Sequence, residues 1–134
     1  MTLRAGVVGH PINHSLSPLI HDAWIAAAGL DATYEAFDVT PDGFAAFISE
    51  QRDRLSGLNV TVPHKEAALA LATRVLPAAR SAGAANLLIF RDGEIVADNT
   101  DGVGLLAALA EQAGFDPAGK IVTVLGAGGA ARGA

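Results

Sequence analysis

Short apolar runs and helix-spaced apolar positions alternate along this chain. The runs predict buried strands at residues 3–8, 33–39, 57–62 and 120–125. Between the first three runs, apolar residues recur at the spacing of helices that bury one face. This alternation favours an α/β fold, in which helices pack on a sheet.

Two of the predicted helices open with a capping residue followed by proline. Ser17-Pro18 opens the first helix, which Gly29 ends, and Thr40-Pro41 opens the second. Ser17 is the expected N-cap. We expect the core-facing residues to be Leu19, Ile20, Ala23, Trp24 and Ala27 in the first helix, and Phe44, Phe47 and Ile48 in the second.

A hairpin is predicted in the second half of the chain. Residues 86–91 and 94–97 flank Asp92-Gly93, which is one of the strongest hairpin turn sequences. The sheet is therefore expected to be mixed rather than all parallel, with Phe90 in its core. A helix follows at residues 102–113, and Gly114 ends it.

The predicted strand at residues 120–125 runs directly into a glycine-rich turn. Gly126, Gly128 and Ala131 match the pattern GxGxx(G/A), which lets a pyrophosphate approach the backbone at the start of a helix. The alternative is a glycine-rich loop without a ligand. Few residues follow the turn, so we expect an N-terminal portion of a longer protein. The expected domains are a mixed-sheet α/β domain at 1–101, then a linking helix with the first strand and turn of a Rossmann-type domain at 102–134.

Composition excludes several classes of protein. The sequence is 51% apolar and 17% charged, which is the reverse of a disordered chain. It has no cysteine, so disulfide frameworks, thiolate metal sites and thiol nucleophiles are excluded. Its net charge of -5 argues against nucleic acid as a partner. With no secretory leader pattern and no apolar run of ~18 residues, the expected location is the cytoplasm, away from the membrane.

Asn59, Thr61 and Lys65 are the first candidates for chemistry. Asn59 and Thr61 alternate with apolar residues near the end of a predicted strand, at the edge where α/β sheets bind ligands. Lys65 follows one short turn later. These residues can converge on a small polar molecule, or they can be a solvated lysine beside edge-strand polar groups.

Two further polar clusters stand before predicted helices. Residues 98–102 read Asp-Asn-Thr-Asp-Gly, and residues 14–18 read His-Ser-Leu-Ser-Pro. Both can be simple N-caps, but each has more polar side chains than a cap needs. A metal site built from His10, His14, His21 and Asp22 is disfavoured, because Pro11 interrupts the helix that would align the first two histidines.

Taken together, these segments resemble the shikimate dehydrogenases. The resemblance runs from Gly6 to Arg132 and rests on five motifs in order, at residues 9–18, 59–65, 83–86, 99–102 and 126–132. It implies a substrate domain followed by an NADP domain, with the active site between them. It also implies reversible reduction of 3-dehydroshikimate to shikimate, a step towards chorismate and the aromatic amino acids.

The resemblance also implies roles for particular residues. Ser15 and Ser17 would bind the substrate carboxylate, and Lys65 and Asp101 would form the catalytic pair and contact the substrate. Ring hydroxyls would be bound by Asn59, Thr61 and Asn86. The cofactor phosphates would be held by Gly126, Ala127, Gly128, Gly129 and Ala130.

Three alternatives remain beside this interpretation. One is a quinate/shikimate dehydrogenase that uses NAD, and another is a non-catalytic shikimate-binding module. A metal-dependent hydrolase is the third. The expected assembly is a monomer or a homodimer, and we expect the 134-residue chain alone not to turn over.

Overall fold

The computed structural model describes residues 2–134 and forms a mixed six-stranded sheet with helices on both faces. The strands are β1 (Leu3–Gly9), β2 (Ala32–Asp38), β3 (Gly57–Val60), β4 (Arg74–Val75), β5 (Leu87–Arg91) and β6 (Glu94–Asp98). The α-helices are α1 (Ser17–Ala28), α2 (Phe44–Gln51), α3 (Lys65–Leu71), α4 (Pro77–Ala82), α5 (Asp101–Ala113) and α6 (Gly129–Gly133).

The order of the strands across the sheet is β2-β1-β3-β5-β6-β4. Strands β1, β2 and β3 are parallel to one another, whereas β5 runs antiparallel to both β3 and β6. Asp92, at a φ of 54°, and Gly93, at 77°, form the tight turn between β5 and β6. The predicted mixed α/β architecture and its hairpin are confirmed. This topology brings the ends of β1, β3 and β6 and the start of β5 to one edge.

The two faces of the sheet bury different clusters. Val8, Leu58 and Leu88 point to one face, where α2, α3 and α4 cover them with residues such as Phe44 and Ala79. The opposite face holds a smaller cluster of Val7, Ile12 and Tyr34, against which Ile25 of α1 packs. Because successive residues of a strand point to opposite faces, Val7 and Val8 serve the two clusters separately.

The predicted core stripe of α1 is wrong. None of its five residues is buried, and Leu19 and Trp24 are 71% and 62% exposed. The helix packs on the sheet through Ile25 instead. The periodic pattern was correct for a helix, but within residues 2–134 nothing covers the face on which the larger apolar side chains lie. Phe44 and Phe90 are buried and Phe47 is partly buried, as predicted.

The predicted strand at residues 120–125 is not formed, and within residues 2–134 no strand is assigned beyond β6. Ile121 and Leu125 are almost fully exposed. A strand requires hydrogen bonds from a neighbouring strand, and none of the described residues pairs with this segment. In the same part of the chain, α5 exposes Leu105 and Leu106. Among the described residues, no helix combines the length and the apolar character that crossing a bilayer requires.

Candidate active site

Lys65 and Asp101 meet at the edge where β1, β3 and β6 end. Lys65 is the first residue of α3 and Asp101 is the first residue of α5. Lys65 Nζ donates a hydrogen bond to Asp101 Oδ2 at 2.6 Å, and the two side chains are 11% and 28% exposed. The pair is therefore shielded enough to be well ordered, yet it remains open to a small molecule.

A set of amides fixes the orientation of Asp101. Asn86 Nδ2 donates to Asp101 Oδ1 at 2.8 Å and to Thr100 Oγ1 at 2.9 Å. The backbone N–H of Asp101 donates to Asn99 Oδ1 at 2.9 Å, and the buried Asn99 side chain is held in turn by the Ala84 carbonyl. Both oxygens of the carboxylate thus have fixed donors. Both amide hydrogens of Asn86 are thus donated to protein oxygens in this structure. A contact between Asn86 and a substrate hydroxyl therefore stays a prediction.

Lys65 is held from its backbone and along its stem. Its carbonyl accepts a hydrogen bond from the Ala85 N–H at 2.8 Å, which ties α3 to the loop before β5. A Cβ added to Gly129 would lie 3.0 Å from Lys65 Cβ, so the glycine-rich turn packs closely on the lysine stem. The turn and the Lys65–Asp101 pair are therefore neighbours.

Asn59 and Thr61 lie beside this pair at the end of β3. The Val60 N–H donates to the Asn86 carbonyl at 2.7 Å, which places the end of β3 against the Asn86 loop. Asn59 is half-buried, and its Oδ1 accepts a hydrogen bond from Tyr34 Oη at 2.7 Å. Thr61 is also half-buried and follows the last residue of the strand.

Ser15 and Ser17 lie at the start of α1, where the predicted cap is wrong in detail. The helix begins at Ser17, and Leu16 occupies the cap position without a side-chain hydrogen bond. Ser15 Oγ accepts a hydrogen bond from the Ser17 N–H at 3.2 Å, so Ser15 is the residue that satisfies a free donor there. Both serines are half-buried, and their contact with a carboxylate stays a prediction.

Several titratable groups near this edge have shifted pKa values. Burial raises the pKa of Tyr34 to about 12, and a side-chain hydrogen bond with Ser17 opposes that shift to a smaller extent. The hydroxyl of Tyr34 is therefore protonated at neutral pH. A hydrogen bond with His10, at 2.6 Å between Nδ1 and Oδ1, holds the pKa of Asp38 below its ordinary value.

The histidines that the sequence offered for a metal do not come together. His10 pairs with Asp38, whereas His21 stacks on Tyr34 with 3.9 Å between ring centroids. Across residues 2–134, no group of three or more histidine, aspartate or glutamate side chains is placed to hold a metal ion.

The backbone of the glycine-rich turn has two features that suit a closely approaching group. Gly126 has a φ of 126°, a conformation that favours glycine, and α6 begins at Gly129. In the described part of the chain, no atom lies within 4 Å of the position that a Cβ of Gly128 would take, so the backbone there is open to close approach. The strand that precedes such a turn in dinucleotide-binding domains is not formed in the described residues, so phosphate binding at residues 126–130 stays a prediction.

The described geometry agrees with a comparison against known families. The model of the shikimate dehydrogenase substrate binding domain matches residues 7–88, from within β1 to the start of β5. The chain belongs to the shikimate dehydrogenase family. The predicted resemblance to the shikimate dehydrogenases is confirmed, and the matched segment contains Ser15, Ser17, Asn59, Thr61, Lys65 and Asn86.

Individual shikimate dehydrogenases match almost all of this chain. The NADP(+) enzyme of Caulobacter vibrioides is 59% identical over 132 residues, which is 96% of this chain and 46% of the relative. The shikimate 5-dehydrogenase of Thermus thermophilus, solved with NADP(H) and shikimate, has a TM-score of 0.90 and 42% identity over 98% of this chain and 50% of that one. The chain therefore spans about half the length of these relatives.

One structural neighbour is named for a different activity. The 5-ketofructose reductase of a Gluconobacter species has a TM-score of 0.86 and 36% identity, covering 99% of this chain and 48% of that chain. This chain is thus structurally similar to about half of a reductase that is named for another ketone.

Sequence reasoning missed two residues of the site. Tyr34 was assigned only to a strand, and His21 was considered only as a metal ligand. Tyr34 is the only tyrosine in the sequence, and alternation places it on the same strand face as Ala32 and Ala36. A buried tyrosine usually has a hydrogen-bond partner, so its presence on an apolar face was the available indication of a polar neighbour.

Proposed function

We propose that this chain forms the substrate-binding half of an NADP-dependent shikimate dehydrogenase. The reaction is the reversible reduction of 3-dehydroshikimate to shikimate, towards chorismate and the aromatic amino acids. The observation that carries the proposal is the Lys65–Asp101 contact of 2.6 Å, beside Asn59 and Thr61 and against the glycine-rich turn.

The Lys65–Asp101 pair is suited to moving a proton at a substrate oxygen. Reduction of a ketone builds negative charge on the carbonyl oxygen, and a donor at that oxygen stabilises the transition state and then protonates it. Lys65 supplies the donor, and Asp101 orients it. In the reverse direction the hydroxyl proton passes to the pair as the hydride leaves the same carbon. NADP, when bound, supplies or accepts that hydride.

The remaining site residues are proposed to hold the substrate. Ser15 and Ser17 bind the carboxylate, because hydroxyls and free N–H groups at a helix start favour an anion. Asn59, Thr61 and Asn86 bind ring hydroxyls, and Gly126 to Ala130 hold the cofactor phosphates. The domain boundary is proposed at residues 101–102, where α5 begins.

The test compares substitutions of Lys65 and Lys120, the two lysines of this sequence, in the full-length enzyme. Lys65→Ala should lower kcat on the order of 10²-fold, which is typical of a lost general acid/base. Lys120→Ala is the matched control, because Lys120 is exposed and makes no ion pair with Asp101 in the described residues, and it should leave kcat and KM unchanged. A change confined to KM in Lys65→Ala would mean that the lysine only binds the substrate.

A second candidate function has a specific observation in its favour. The structural similarity to a 5-ketofructose reductase indicates that this architecture is compatible with another carbonyl substrate. Initial rates with shikimate, quinate and reduced 5-ketofructose, each with NADP and NAD, distinguish the candidates, including an NAD-using quinate/shikimate dehydrogenase. A non-catalytic shikimate-binding module would need neither Lys65 nor Asp101, so the intact pair argues against it.

We further propose a cytoplasmic enzyme that is a monomer or a homodimer and has no nucleic-acid or membrane partner. The net charge of -5 opposes phosphate backbones. The 134-residue chain alone should not turn over, because it carries only the start of the proposed cofactor site.

A further inference from the structure

Tyr34 lies between two groups of side chains that are proposed to hold the substrate. It is linked to Ser17 at the start of α1 through His21, and to Asn59 at the end of β3 directly. It lies on β2 opposite Ala5 of β1, and it is only 8% exposed. Asn59 lies on β3, on the far side of β1, level with Val7. The small side chain of Ala5 leaves room for the phenol to extend across β1, and Tyr34 Oη donates to Asn59 Oδ1 at 2.7 Å.

This hydrogen bond determines which way the amide of Asn59 faces. A protonated phenol donates to the amide oxygen, so the amide NH₂ must point elsewhere. Within residues 2–134, Nδ2 of Asn59 has no protein acceptor, and no buried side-chain polar atom lacks a partner. Nδ2 is therefore not fully buried, and Asn59 lines a groove on the α1 side of the sheet. Asn86 differs, because its amide hydrogens are both taken by protein oxygens.

His21 and Ser17 hold the ring of Tyr34 from the side of α1. The imidazole of His21 stacks on the phenol with 3.9 Å between centroids and an interplanar angle of 8°. His21 Nδ1 donates to the Ser17 carbonyl at 2.8 Å, which fixes the imidazole over the first turn of α1. The contacts thus run from Ser17 through His21 and Tyr34 to Asn59.

We propose that Tyr34 is a positioning residue of the substrate site, which holds the amide of Asn59 so that Nδ2 donates to a substrate hydroxyl. This inference rests on the proposed function. Tyr34 is proposed to act mainly through Asn59, the residue to which its hydroxyl donates at 2.7 Å. The competing explanation is that Tyr34 only fills the small core cluster with Val7 and Ile12.

A double-mutant cycle in the full-length enzyme separates the two explanations. Tyr34→Phe keeps the ring and removes the hydroxyl. It should raise KM for shikimate on the order of fivefold, the effect of one neutral hydrogen bond, with kcat within about twofold. In an Asn59→Ala background the same change should have little further effect, because the amide is absent. KM does not depend on the amount of folded enzyme, so a loss of stability alone cannot produce this result.

Two further variants complete the experiment. Thr33→Val is the control, because Thr33 is exposed on the same strand and its hydroxyl makes no hydrogen bond within residues 2–134; KM should not change. Asn59→Asp keeps an acceptor for Tyr34 and removes the amide donor, so KM should rise even if Tyr34→Phe does not fold. An unchanged KM in Asn59→Asp, or equal effects of Tyr34→Phe in both backgrounds, overturns the inference. A wild-type enzyme that does not oxidise shikimate overturns the proposed function as well.

Discussion

His64 is a titratable side chain in the core of this domain. It is 1% exposed, its ring stacks on Phe44 with 4.4 Å between centroids, and Nε2 donates to the Val39 carbonyl at 2.7 Å. Burial is the main cause that lowers the pKa of His64. The charge of His10 adds to this shift, and the hydrogen bond to Val39 opposes it. The folded protein therefore keeps His64 neutral at a pH where an unfolded chain would protonate it.

This difference predicts a loss of stability in mild acid. Below about pH 6.5, the ordinary pKa of the side chain, the unfolded chain binds a proton that the folded chain does not. The free energy of unfolding should then fall as the pH falls, until the lowered pKa of the folded state is reached. Urea unfolding of the full-length enzyme from pH 8 to pH 4.5 should show a weaker decline in His64→Gln, whose amide can still donate to Val39.

His14→Gln provides the matched control for this measurement. His14 is exposed and makes no hydrogen bond within residues 2–134, so the variant should keep the wild-type dependence on pH. If His64→Gln declines as steeply as the wild type, protonation of His64 is not what limits acid stability.

Two glycines of α5 have different surroundings although they are only two positions apart. A Cβ on Gly102 would lie 2.5 Å from the carbonyl oxygen of Gly133, whereas nothing in the described residues lies within 4 Å of a Cβ on Gly104. The close contact at Gly102 lets α6, and with it the glycine-rich turn, approach the start of α5. No comparable close contact involves Gly104 in the described residues.

Alanine substitutions at these glycines should therefore have opposite effects. Gly104→Ala should raise stability by up to about 1 kcal/mol, because alanine favours a helix more than glycine does. Gly102→Ala should displace α6 and raise KM for NADP several-fold, with a smaller effect on KM for shikimate. Thermal unfolding and initial rates at varied NADP measure both effects. Equal stabilisation and an unchanged KM for NADP in the two variants would contradict the packing of α6 on α5.

The elements that the sequence predicted well are those whose signals are local. The Asp92-Gly93 turn, the glycine ends of helices and the motifs around Lys65 and Asp101 need no distant partner to be recognised. The two-residue strand β4 and the six-residue helix α4 were missed, because neither is long enough to show a period. The Tyr34–Asn59 contact was missed because its residues lie on strands separated by β1, and the order of strands is not written in the periodicity.

The wrong predictions of burial and of the strand at residues 120–125 share one physical cause. The periodicity of apolar residues indicates which face of a helix or strand can be buried. Whether that face is buried, or the strand forms, also depends on the presence of an element that packs on it or pairs with it. Trp24 of α1 and Ile121 after α5 are apolar and exposed here. The relatives are about twice as long as this chain, so their second halves can supply partners that residues 2–134 do not.

Apolar surface is exposed in several places on the molecule. Leu19 and Trp24 on α1, Val103 and Leu106 on α5, and Leu125 near the glycine-rich turn are each more than half exposed. On the α1 side of the sheet, an open apolar groove of about 340 Å³ lies over β1, β3 and β5. Exposed apolar surface favours association with other surfaces.

We therefore expect the 134-residue chain to self-associate when it is produced alone. Trp24 is the only tryptophan in the sequence and is 62% exposed, so its fluorescence reports on the surface of α1. At low concentration its emission should be that of a hydrated indole, easily quenched by iodide. As the concentration rises, the emission should shift to the blue and quenching should fall, because association through α1 removes the indole from water.

A Leu19→Ser variant should need a higher concentration for the same shift, whereas Ser49→Ala, on the exposed side of α2, should behave as the wild type does. Sedimentation velocity measures the size of the species directly. A monomer at every concentration, with Trp24 still hydrated, would show that the exposed apolar residues are too dispersed to drive association.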